Sequence, residues 1–129
     1  MGLDQYLYEA WTDENKETHL AELVYWRKAN QIQEWFNKRC VQKHGREMEN
    51  CEDFEVTKED LEDLLKDLEA VNNDHSLAGK LLPTASGFFY GSTEYDEWYF
   101  EDIERSIRDI KGVLDVHEDG MKYLYHPWW

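Results

Sequence analysis

Apolar and polar positions alternate from the start of the chain. In LDQYLYEAW (3–11), Leu3, Leu7 and Trp11 fall on one side of an extended strand, with Tyr6 and Tyr8 on the other. The polar stretch TDENKET then precedes HLAELVYW, which predicts a second strand and an antiparallel hairpin with a longer loop. The period changes in RKANQIQEWFNKRCVQK (27–43), where Ala29, Ile32, Phe36 and Cys40 recur at helical spacing and form one buried stripe. Ala21 and Tyr25 would extend that stripe if the helix began earlier. Gly45 supplies a stop.

Phe54 and Val56 predict a short extended piece. Thr57 and Asp60 form a capping box with Asp in place of the usual Glu or Gln. The helix they open carries Leu61, Leu64, Leu65, Leu68 and Val71 inward, and Asn72 and Asn73 end it. Ser92 or Thr93 is the expected cap of a third helix, with Glu94, Asp96 and Glu97 suited to its positive end and Tyr99, Ile103, Ile107, Ile110 and Leu114 as its buried face. Asp119 and Gly120 form a turn, and MKYLY (121–125) predicts the last strand. The pattern gives an α+β class: about three helices packed with a small antiparallel sheet formed by the N-terminal hairpin and the C-terminal strand. With 129 residues and no linker or repeat, residues 1–129 read as a single domain.

Charge adds direction. The formal net charge is −15, and it is uneven. Residues 20–46 carry six bases and two acids, whereas residues 47–78 carry twelve acids and two bases. A general basic face for nucleic acid is therefore not expected, since phosphate contact needs clustered Lys and Arg. A partner with a basic surface suits the field better, including a protein that itself binds nucleic acid. No apolar run approaches the roughly 18 residues that span a bilayer. The start MGLDQYLYEAW lacks a basic, apolar signal core, so the expected location is the cytoplasm.

Seven aromatics crowd PTASGFFYGSTEYDEWYF (83–100) among glycines and small polar residues. Burying each contributes roughly 1.5–3 kcal/mol, so most belong to the core. Trp98, Tyr99 and Phe100 are consecutive and fan out over about 200° of a helix, so they cannot all point inward. Tyr90, Tyr95 and Trp98 are the expected surface residues. Beside carboxylates they make a candidate partner-binding set with Glu59, Glu62, Asp63, Asp67, Asp96 and Glu97.

The segments MGLDQYLY, YWRKANQIQEWF and LLPTASGFFYGSTEYDEWYFEDI resemble a family of small bacteriophage and prophage proteins over almost the whole chain. Gln33 stands where members of that family often carry His. The resemblance implies a phage origin and supplies no mechanism. Phage accessory genes of this size often encode inhibitors of host enzymes or host defence, anti-CRISPR proteins among them.

The chemistry is sparse. His19, His44, His75, His117 and His126 show no H-E-x-x-H spacing, Ser86 is not in a G-x-S-x-G elbow, and GFFYG is followed by no G-K-[ST]. Cys40 and Cys51 are expected to be reduced thiols; with His44 they offer three ligands without paired C-x-x-C spacing, which argues against zinc. No catalytic residue, metal or cofactor is assigned. The expected function is that of a phage-encoded acidic interaction protein in the host cytoplasm, which inhibits or redirects a host factor and in some cases mimics nucleic acid. It would act as a monomer or a homodimer, without direct contact to nucleic acid or membrane. The alternative is a nucleotide- or phosphate-binding protein or small enzyme built on Trp26, Arg27, Asn30, Ser92, Thr93 and Tyr95, where an Arg, aromatics and a helix N-terminus suit a phosphate.

Overall fold

The alternation at the start of the chain does become paired strands. The structure is a computed structural model and describes residues 3–86 and 93–129. Strands β1 (Asp4–Thr12) and β2 (Thr18–Arg27) form the predicted hairpin. Helix α1 (Asn30–His44), strand β3 (Phe54–Val56), helix α2 (Lys58–Asn73) and a 3-10 turn (His75–Leu77) follow. A single-turn helix α3 (Ala78–Leu81), helix α4 (Glu97–Asp115) and strand β4 (Lys122–Trp128) complete the order. The class is α+β, with four α-helices among the described residues where the sequence predicts about three. The sheet is antiparallel in the order β2-β1-β4-β3, so the predicted hairpin and C-terminal strand do belong to it, with β1 and β4 central and β2 and β3 at the edges.

One sheet face is core. Leu7, Val24, Trp26, Phe54, Val56, Tyr123 and Tyr125 point into it, and Phe36 of α1 stacks on Tyr125 with ring centroids 3.9 Å apart. Trp11 does not join Leu3 and Leu7. The hairpin outruns the helical layer, and Trp11 stays exposed against His19. Ala21 and Tyr25 belong to β2 and extend no helix. The helix predicted from Arg27 begins instead at Asn30, because Lys28 takes a left-handed backbone (φ 56) and its N–H bonds to the Leu3 carbonyl at 2.7 Å. Its stripe of Ala29, Ile32, Phe36 and Cys40 is buried as predicted, and Gly45 ends it at φ 72.

α2 opens on the predicted capping box, with both the Thr57 and the Asp60 half formed. Helices α1 and α2 meet along matching polar stripes. The Trp35 indole N–H donates to Asp67 at 2.9 Å, Arg39 reaches Asp63 at 2.9 Å and Asp60 at 3.2 Å, and Lys43 pairs with Asp60. The order 35, 39, 43 against 67, 63, 60 shows that the helices run antiparallel. Burial opposes the charge of Asp60, but Lys43 and the Thr57 hydrogen bonds outweigh it and hold the carboxyl below its ordinary range.

α4 is capped by Asp96, whose carboxylate accepts from the Tyr99 N–H at 3.1 Å. Thr93 is not the cap; its carbonyl instead accepts from the Thr84 hydroxyl. Ser92 lies outside the described residues. The buried face is Tyr99, Ile103, Ser106, Ile110 and Val113, with Ile107 and Leu114 at its margin. Cys40 is buried and Cys51 exposed, both as free thiols.

Two buried polar contacts tie the layers together. Gln5, fully buried on β1, donates to the Ala29 carbonyl at 2.9 Å and accepts from the Tyr125 hydroxyl. Trp26 donates to Ser106 Oγ at 2.8 Å, joining β2 to α4. Gln5→Leu keeps the volume and removes both bonds while the Ala29 carbonyl keeps the Ile32 and Gln33 N–H groups, so it is expected to cost about 1–3 kcal/mol in urea unfolding. A cost under about 1 kcal/mol would show that this amide is not what holds the junction.

Candidate functional site

The turn from β2 into α1 and the first half of α4 face each other across a cleft of about 540 Å³. Arg27, Lys28 and Gln31 form one wall; Trp98, Asp102, Arg105 and Arg108 rise from α4 on the other. The rim carries Glu94, Asp96, Glu101 and Glu104. The α4 residues come together because 98, 101, 102, 105 and 108 recur at helical spacing on one face. The opposite wall is set by Lys28 and by Gln31, whose side-chain amide reaches the Tyr99 carbonyl at 3.5 Å.

The cleft mixes charges, and its cations are unequal. Arg105 pairs with Asp102 at 2.9 Å. Among the described residues, no carboxylate lies within 4.0 Å of Arg27, Lys28 or Arg108. Burial pushes Asp102 up to about 6; Arg105 opposes this, and Glu101 and Asp96 reinforce it. A carboxyl raised to about 6 in a cleft that also holds Arg27 and Arg108 can exchange a proton near neutral pH. Trp98 is 69% exposed at the cleft and offers a ring face.

The predicted partner-binding residues are split. Glu97 and Trp98 are exposed together on α4, while Asp96 is committed to its cap. Tyr95 is exposed, but its hydroxyl accepts from the Thr84 N–H at 3.3 Å and its ring packs on Tyr99. Tyr90 lies outside the described residues. On α2, Asp63 and Asp67 pair with Arg39 and Trp35 of α1, although Asp63 stays exposed, while Glu59 and Glu62 face outward. His75 stacks on Phe100 and Lys111 pairs with Glu69, so α2 runs opposite to α4. Glu59 and Glu62, near the start of α2, therefore lie toward the far end of α4 from Trp98. The single acidic face expected from the sequence is two separate regions.

The alternative ligand set changes as well. Trp26 is core, and Asn30 is buried with its side-chain oxygen accepting from the Ala85 N–H at 3.0 Å. Thr93 and Tyr95 serve the loop, so among the described residues of that set Arg27 alone lines the cleft, and Ser92 lies outside the described residues. Sequence reasoning missed Lys28, Asp102, Arg105 and Arg108. The repeat of Trp98, Asp102 and Arg105 along one face of α4 was the available signal for the last three.

One group of metal-capable side chains occurs among the described residues: Asp13, Glu17 and His19 at the hairpin loop, with ligand atoms within 4.8 Å of one another. Both Asp13 oxygens already have work there. One accepts from the Asn15 and Glu17 N–H groups, and the other faces His19 Nε2 at 2.7 Å. The His19 contact holds Asp13 below the ordinary carboxylate range. Cys40, His44 and Cys51 do not form such a group.

Asp102 gives the site a pH signature. Between about pH 4 and 6 the unfolded chain releases this proton while the folded chain retains it, so raising the pH through that window lowers stability. Asp102→Asn is expected to be more stabilising at pH 7 than at pH 4.5, by about 1 kcal/mol. Chemical denaturation of both proteins at the two pH values measures the difference; an equal effect at both would place the ionisation elsewhere.

No protein-family model, curated protein or solved structure matches this chain, so the reading of the cleft rests on its geometry.

Proposed function

We propose that the chain is a phage-encoded acidic interaction protein that binds a basic surface on a host factor and inhibits or redirects it. The observation that carries this reading is Trp98, 69% exposed on the carboxylate-rich first half of α4. A large aromatic left in water forgoes roughly 1.5–3 kcal/mol of burial, and such residues are the usual anchors of protein interfaces. Glu97 and Glu101 beside it attract Lys and Arg, and the indole face takes a cation directly. The net charge of −15 steers a basic partner from a distance. Carboxylates arranged this way stand in for phosphates, which suits a nucleic-acid-binding target in the host cytoplasm, including a defence nuclease of the CRISPR type.

Affinity capture from host lysate at low and moderate salt tests the proposal. The captured factor should fall at least about tenfold between 50 and 300 mM salt. Trp98→Ala should weaken it by about 30-fold, and Glu97→Lys with Glu101→Lys should abolish it. Binding that survives all three changes sinks the proposal.

A second reading rests on Arg27, Lys28 and Arg108, which have no carboxylate partner among the described residues at a cleft of about 540 Å³. That space suits a nucleotide, with phosphates on the guanidinium groups and a base on Trp98. A thermal-shift series with ATP, GTP and inorganic phosphate distinguishes it. A rise of several degrees that disappears in Arg27→Ala favours a ligand site, and no shift at millimolar nucleotide removes it.

A further inference from the structure

The helices cover one face of the sheet; the other is open and aromatic. Tyr6 is the cross-strand partner of both Tyr25 and His126, and Tyr8 lies two residues along β1. Tyr6 is stacked with Tyr8 at 5.6 Å and tilted against Tyr25 at 5.3 Å, with His126 at 6.4 Å from both Tyr6 and Tyr8. Tyr25 is 40% exposed and Trp128, on the same face of β4, is 55% exposed. At one end this platform meets the cleft beside Trp98 through Arg27.

We infer that the open sheet face is a second docking surface, for an arginine-bearing protein segment. Its rings would take guanidinium groups on their faces, and Asp4, Glu22 and Asp53 would supply the counter-charge.

Charge complementarity carries this choice of occupant. Asp4 accepts from the Tyr25 hydroxyl at 2.5 Å, Asp53 is held by His126 at 2.8 Å, and Glu22 stands opposite Tyr8 in the ladder. The cations of this face, Arg27 and Lys122, sit at its two ends: Arg27 opposite Asp4 at the start of β1, and Lys122 opposite Ala10. Between them the platform is anionic. The tyrosines register that field. Burial first, then Asp4 and Glu22, raise Tyr6; burial, Tyr6, Glu22 and Asp53 raise Tyr8. A potential that disfavours a phenolate favours a cation on the same rings. Arginine fits better than lysine because its planar guanidinium stacks on aromatic faces and also forks onto carboxylates.

Two other occupants fit less well. Aromatic sheet faces elsewhere stack the bases of single-stranded nucleic acid, but there cations flank the rings, and here carboxylates would repel each phosphate. A second copy across a two-fold axis would bring Asp4, Glu22 and Asp53 against their own equivalents.

Fluorescence anisotropy with labelled nona-arginine, nona-lysine and oligo(dT) of twenty nucleotides tests the inference on the full chain. Nona-arginine should bind at least about fivefold tighter than nona-lysine, and oligo(dT) should not bind. Tyr8→Ser with Tyr25→Ser should bring the arginine peptide to the lysine level. Because the tyrosine variant can lose fold, Glu22→Gln with Asp53→Asn is the second probe. It should weaken nona-arginine at least about threefold, and Glu59→Gln with Glu62→Gln, an equal charge loss on α2, should not. Equal affinity for the two peptides, or equal loss from the α2 variant, reduces the binding to net charge and overturns the inference. Oligo(dT) binding, or a dimer in sedimentation that the tyrosine variant dissolves, gives the face to another occupant. If Trp98→Ala fails to affect host capture while the sheet variants still lose nona-arginine, the α4 proposal fails and this inference stands.

Discussion

Gln5 sets the frame. A fully buried side-chain amide in an apolar layer must be hydrogen-bonded at both ends, and here the two ends lie on different elements, Ala29 at the entry to α1 and Tyr125 on β4. The start of α1 therefore cannot slide along the sheet without breaking the bond of the buried Gln5 amide to the Ala29 carbonyl. The Lys28 N–H on the Leu3 carbonyl fixes the same junction from the backbone. Trp26 carries the constraint on to Ser106 of α4. Arg27, Lys28 and Gln31 and the facing helix are thus positioned by core hydrogen bonds, and the cleft between them is a consequence of how the core is joined.

Much of the fold was legible because local signals sufficed for it. The Thr57 and Asp60 capping box, the stripe of Ala29, Ile32, Phe36 and Cys40, the stop at Gly45 and the alternation of Tyr123 and Tyr125 each need only neighbouring residues. What stayed hidden depended on partners far along the chain. The start of α1 is set by Leu3, just before β1. Asp96 outcompetes Thr93 as cap because Thr93 is held by Thr84. The site suffered most from this. The aspartates at 60, 63 and 67 look like a solvated face until the complementary spacing of Trp35, Arg39 and Lys43 is laid against them in antiparallel order. Both stripes are in the sequence; their pairing is a tertiary fact.

That pairing changes what the charge can do. The basic segment directs Arg39 and Lys43 inward to α2, and Arg46 to Glu52. Those carboxylates are locally compensated, although the net charge is unaltered. Other carboxylates remain outward on the first half of α4, beside the cations of the cleft, and on the open face of the sheet. Each of these regions also leaves large aromatics in water.

Exposed aromatics and surplus carboxylates are individually ordinary. Their coincidence is what calls for a physical account. Trp98, Trp128 and Tyr25 each forgo part of a roughly 1.5–3 kcal/mol burial term, while the core already contains Trp26, Phe36, Tyr123 and Tyr125. A net charge of −15 opposes contact between copies through such rings. On the proposed surfaces the same charge would favour a cationic visitor, and the rings would hold it. Charge thus governs approach and the ring faces govern retention, so both proposed surfaces follow from a single division of labour within the sequence.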